Sequence, residues 1–121
     1  MIRRETVVIT TDGAGAGTGY TGVVSGRVSQ IRYVKTDFDD GSTITITNET
    51  TGETIWTEAG VNASATRAPR QATHTTAGAA ALYAGGGTAV NDKIVVAKDR
   101  ILVTVAAGGA TKVGTFYIIL E

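Results

Sequence analysis

A chain of 121 residues with eleven basic and eleven acidic side chains has room for one hydrophobic core, and it has no net field to attract nucleic acid or an anionic membrane surface. Neither is expected as a partner. The absence of cysteine removes disulfide stapling, thiolate chemistry and cysteine-ligated zinc.

No apolar run approaches the roughly 18 to 20 residues that cross a bilayer. The basic start, Met1 to Thr6, is followed only by the short run Val7-Val8-Ile9, too brief for a secretory signal. One soluble domain over residues 1–121 is expected. The glycosylation-type triplets at Asn48 and Asn62 carry little weight without secretion.

Thr, Gly, Ala and Val dominate the chain while Leu, Met, Glu and Lys are scarce, which favours strands over long helices. The first strand is read at residues 5–11. In the stretch after it, Gly17, Gly19 and Gly22 satisfy G-x-G-x-x-G, but the residues beyond read as strand rather than helix. A dinucleotide site needs the helix, so a flexible turn is expected instead. The next strand spans residues 28–36, with Val28, Gln30, Arg32 and Val34 on one face and Ser29, Ile31, Tyr33 and Lys35 on the other.

Asp37, Asp39 and Asp40 precede Gly41 and read as a charged β-turn. The calcium-loop spacing fails, because Gly41 stands where an Asp or Asn is wanted and no glutamate occupies the twelfth position. Residues 43–58 read as a hairpin with its turn at residues 48–52. In it Thr43-Ile44-Thr45-Ile46-Thr47 alternates as a half-buried strand does, and Trp56 is a core anchor.

Residues 61–90 are the irregular part, rich in Ala, Thr and Gly, with residues 77–84 suited to one or two helical turns. A connection this long in a small domain is usually functional, so an interface is placed there first. Arg67, Pro69 and Arg70, with Arg3 and Arg4, are its candidate contacts, since arginine offers planar, multidentate donors. His74 is the only histidine. With no serine in a nucleophile elbow and no second histidine, it reads as a hydrogen-bonding loop residue and is counted with the candidate interface.

Residues 93–97, 100–106 and 112–120 read as a three-stranded meander. In the last strand Phe116, Ile118 and Leu120 share one face and Tyr117 and Ile119 the other, so both faces are expected to be covered, one by a loop or a neighbouring subunit. Tyr117 thereby joins the candidate interface. Seven or eight short strands predict an all-β, single-domain β-sandwich, jelly-roll-like or related, with immunoglobulin-like topology as the alternative. Nothing converges on a reactive group, so a non-enzymatic protein without cofactor or metal is expected.

Four stretches carry a resemblance: Ile31-Arg32-Tyr33-Val34-Lys35-Thr36-Asp37-Phe38, Thr54-Ile55-Trp56-Thr57-Glu58, Ala63-Ser64-Ala65-Thr66-Arg67-Ala68-Pro69-Arg70 and Gly86-Gly87-Thr88-Ala89-Val90-Asn91-Asp92. The pattern resembles short virion proteins of tailed bacteriophages, similar to capsid decoration, or cement, proteins. It spans roughly residues 5–120, and its motifs are structural rather than catalytic. The resemblance implies a homo-oligomer, commonly a trimer, that binds the major capsid protein on the virion surface after assembly in the host cytoplasm. The alternatives are a neck, tail or fibre protein, or a carbohydrate- or ligand-binding β-sandwich.

Overall fold

Alternation of β-branched with small or polar residues builds ten strands and no helix in the computed structural model, which describes residues 1–121. They are β1 (Arg3–Thr10), β2 (Gly17–Tyr20), β3 (Val24–Lys35), β4 (Ser42–Asn48), β5 (Thr54–Val61), β6 (Ala65–Arg67), β7 (Arg70–Ala72), β8 (Asn91–Asp99), β9 (Ile101–Ala106) and β10 (Val113–Leu120). The first sheet has the order β1-β10-β3-β8-β7, with β6 also beside β3, and the second has the order β2-β9-β4-β5. All pairings are antiparallel.

Pairs β1–β10, β2–β9, β3–β8 and β4–β5 are the rungs of one long hairpin. Rolling that hairpin up adds the contacts β10–β3 and β9–β4 and makes two sheets. This is the jelly-roll form of the β-sandwich. The meander expected of the last three strands is not formed. β8 and β10 lie in the first sheet and β9 in the second, because each pairs with its partner from the other half of the hairpin. The chain changes sheet at Lys98 (φ 47°) and returns between Ala107 (φ 57°) and Thr111 (φ 54°), corners made by non-glycine residues in the left-handed region.

Twenty buried apolar residues fill the space between the sheets, among them Val28, Ile31, Ile44, Ile46, Ile101, Val103, Ile118 and Leu120. Full burial of each such side chain contributes about 1.5–3 kcal/mol. One face assignment shifts, and a second strand departs from simple alternation. On β3, Val28 points inward together with Ile31 and Tyr33, because a bulge between Leu120↔Val28 and Ile119↔Gln30 inserts a residue and reverses the alternation. On β5, Ile55 and Trp56 are both buried, again at a register shift. The solvent face of the second sheet explains much of the threonine content. Thr18, Thr104, Thr45 and Thr57 stand side by side across β2, β9, β4 and β5, and the Thr45 and Thr57 hydroxyls lie 3.3 Å apart.

The glycine-rich stretch proves to be strand β2 rather than a flexible turn. A Cβ on Gly17 would overlap the Ile9 side chain, and one on Gly19 would lie 2.7 Å from Val7 Cγ1. Glycine lets β1, at the edge of the first sheet, press against β2 at the edge of the second. Gly19→Ala is therefore expected to lower the unfolding free energy by about 1–3 kcal/mol in chemical denaturation. An unchanged value would mean that Val7 yields freely.

Candidate partner-binding surfaces

Between Val61 and Ile94 no residue belongs to the core cluster. Within this stretch, the helical turns expected at residues 77–84 are absent. Strands β6 and β7 extend the first sheet, and residues 73–90 then form an arm ordered by its own backbone. Thr73 N donates to Val90 O at 2.8 Å, Ala81 N to Thr73 O at 3.0 Å, Val90 N to Ala81 O at 3.0 Å and Tyr83 N to Thr88 O at 3.0 Å. His74 pairs with Ala80 and Leu82 with Ala89 as isolated bridges. Alanine and glycine dominate here because the arm presents backbone rather than bulk, which defeats a helical pattern.

The arm has no buried residue and no Lys, Arg, Asp or Glu from residue 71 through 91. It nevertheless exposes Tyr83 at 76% and Leu82 at 39%. These are the two large apolar side chains that the arm leaves open to solvent.

The other candidate residues fall into separate places. Arg67, on β6, is held within the chain: its Nε and Nη2 donate to Glu58 Oε1 and Oε2 at 2.8 and 3.0 Å. Its guanidinium lies 6.0 Å from the Trp56 ring, and Trp56 Nε1 donates to Glu58 at 3.3 Å. This fork ties β6 of the first sheet to β5 of the second. Pro69 is half-buried, and Arg70 donates to the carbonyls of Ser29 at 3.1 Å and Pro69 at 2.8 Å. His74 is exposed on the arm.

Arg3 reaches the Ser25 carbonyl, while Arg4 lies 5.3 Å from the Tyr117 ring on the outer face of the first sheet. Tyr117 and Ile119 are half-buried on that face, where flanking side chains of β1 and β3 cover part of each. The structure thus joins Arg4 to Tyr117, with Arg70 farther along the same sheet on β7, and leaves Arg67 and His74 apart from them. Arg27 and Arg32 share this outer face and were missed, because the β3 bulge hides their common direction from a simple alternation.

The Arg67 hydrogen bond holds the Glu58 carboxyl below the ordinary glutamate range. Its folded value is depressed, so the fork contributes fully above a free glutamate's pKa and is lost as pH falls through the folded value. Side-chain exposures of 41% for Arg67 and 35% for Glu58 keep the contribution small. In thermal scans at falling pH, Glu58→Gln is expected to lose less melting temperature than the wild type across this acid range. Identical acid limbs would mean that the fork adds no stability.

Two further polar clusters close turns. Burial opposes the charge on Asp99, but bonds from the Thr50 hydroxyl at 2.9 Å, the Thr50 amide at 3.0 Å and the Arg100 amide at 2.8 Å outweigh it and keep its pKa low. Arg100 is paired with Glu49 and lies 4.1 Å from the Tyr20 ring. In the aspartate turn, Asp37 accepts from the Val113 amide at 2.6 Å and Lys35 binds Asp40 at 2.7 Å.

No protein-family model matches the chain, and no curated protein matches it. Among solved structures it is similar to chitosan-binding module 1 of a chitosanase/glucanase from Paenibacillus sp. IK-5, at TM-score 0.48 and 12% identity, covering 93% of this chain and 74% of that one. It is also similar to murine APRIL, at TM-score 0.44 and 8% identity, covering 98% and 100%. A third is the virus-like particle of extra small virus from the giant freshwater prawn Macrobrachium rosenbergii, at TM-score 0.31 and 12% identity, covering 98% and 78%. Likenesses this distant assign no role.

Proposed function

We propose that this chain is a non-enzymatic structural protein of a tailed-bacteriophage virion that decorates the capsid by binding the major capsid protein. The observation that carries the reading is the arm at residues 73–90, ordered in its backbone, free of Lys, Arg, Asp and Glu, and exposing Leu82 and Tyr83. Two of the stretches that resemble virion proteins, residues 63–70 and 86–92, lie on either side of the arm or within its end. Burying an exposed Leu or a Tyr ring on a capsid subunit would contribute about 1.5–3 kcal/mol each, and many copies on one shell multiply the effect.

The aromatic residues favour this reading over a carbohydrate-binding module. Tyr33, Phe38, Trp56 and Phe116 are buried, Tyr20 lies beside Arg100, Tyr117 beside Arg4, and Tyr83 stands on the arm. A sugar platform would be built from exposed rings set together. The test is to mix purified protein with expanded capsids of a phage that encodes it and pellet the shells. Saturable recovery at hundreds of copies per shell supports decoration; recovery at a dozen or fewer points to the neck or tail, and none refutes virion binding.

A further inference from the structure

Equal numbers of acidic and basic residues conceal an unequal placement. Four ion pairs join Lys35 to Asp40, Arg67 to Glu58, Lys93 to Glu121 and Arg100 to Glu49. Arg4, Arg27, Arg32 and Arg70 have no such partner, and all four are exposed on the outer face of the first sheet. Register places them there: Arg32 is opposite Tyr117, which lies beside Arg4, while Arg27 is opposite Val95 and Arg70 opposite Lys93 on β8. Arg4 lies beside the Tyr117 ring, Arg32 donates to Thr66 Oγ1 at 3.2 Å and Arg70 to backbone carbonyls, while Glu121, whose backbone pairs with that of Arg27, is taken by Lys93. Exposed Val8 and Val95 and half-buried Ile119 share this face.

The opposite charge sits at one end of the sandwich. Loops carrying Asp12, Asp37, Asp39 and Asp40 are locked together by Thr111 N to Asp12 O at 3.2 Å, Gly108 N to Gly15 O at 2.9 Å and Asp39 N to Gly108 O at 2.9 Å. This tip begins where β1 ends at Thr10 and β10 starts at Val113. Its only nearby lysines in sequence are Lys35, already bound to Asp40, and Lys112. Arg4 lies six residues up β1 from Thr10, roughly 20 Å at strand spacing. That exceeds the Debye length of about 8 Å at physiological salt, so the tip cannot neutralise the face within one molecule.

We propose that the arginine face of the first sheet, centred on Arg4, Arg32 and Tyr117, docks the aspartate tip of a second copy of this chain. Each copy offers both surfaces, so the contact is head-to-tail and closes into a ring or grows into a filament according to its rotation. Phosphates of a nucleic acid would satisfy the arginines but leave Val8, Val95 and Ile119 uncovered; a protein contact satisfies both the charged and the apolar groups. The arm takes no part, so this contact stands or falls separately from capsid binding.

Sedimentation velocity of the full chain tests it. The wild type should run heavier than a monomer at about 50 mM salt and move toward monomer at about 500 mM. Arg4→Glu with Arg32→Glu, and separately Asp39→Lys with Asp40→Lys, should each weaken self-association about tenfold or more. Mixed one to one, the two variants should associate again, because the tip of one meets the arginine face of the other and the two reversed surfaces also carry opposite charge. That recovery also certifies that both variants are folded; Arg4→Gln with Arg32→Gln should give an intermediate loss. A wild type that is monomeric at both salts, assembly that ignores the reversals, or a monomer that binds an oligonucleotide through the arginine face would overturn the proposal.

Discussion

Replacing residues 73–90 with an Asn-Gly turn is expected to reduce capsid pelleting to background while the domain stays folded. The excision is possible because Ala72 and Asn91 are already register partners in the β7–β8 pair, and a two-residue turn is the usual closure of such a hairpin. It removes no core residue, since the buried cluster resumes only at Ile94. The unfolding free energy should therefore change by no more than about 1 kcal/mol. The finer version is Tyr83→Ala, whose loss as an interface anchor should weaken binding by about 2 kcal/mol or more, roughly thirtyfold. Unaltered pelleting by the arm-less protein would move the capsid contact elsewhere on the sandwich.

Phe116→Ala is expected to cost about 3–5 kcal/mol in urea denaturation, a large share of the roughly 5–15 kcal/mol that holds a typical domain together. Phe116 is fully buried on β10 and stacks on Tyr33 of β3 with ring centroids 5.0 Å apart; Tyr33 in turn lies 6.1 Å from Phe38. The Phe38 ring occupies the place a Cβ on Gly114 would take, so the aspartate turn, β3 and β10 share one aromatic column. Truncating Phe116, at one end of this column, leaves a cavity that its neighbours would have to fill together. The Tyr33 hydroxyl has no hydrogen-bond partner, and burial pushes its pKa up to about 12, so this residue serves the column by packing. A loss under about 1 kcal/mol would show that the column collapses without penalty.

Much of the sandwich was legible because a strand with one buried face writes its burial into the chain. Ile44 and Ile46 on β4, and Phe116, Ile118 and Leu120 on β10, alternate without interruption and are all buried. The same rule failed on β3 and β5, where one inserted residue reverses the face and nothing in the residue types marks the insertion. It also misread Gly17 and Gly19, whose role is set by Val7 and Ile9 pressing from another strand. An interface placed in residues 61–90 was a reading of length and composition, which mark the arm but not Leu82 and Tyr83 as its exposed side chains.

Residue pattern alone determined an all-β chain, most of its inward-facing positions and the unusual character of residues 61–90, since these follow from local periodicity and from what a short side chain can bury. Tertiary structure alone decided which strands are neighbours, and with that the sheet changes at Lys98 and Ala107, the arginine face and the aspartate tip. Those features join residues far apart in the chain, such as Arg4 with Tyr117 and Asp39 with Gly109. Periodicity reports which way a side chain points along its own strand; only the rolled hairpin states what lies beside it.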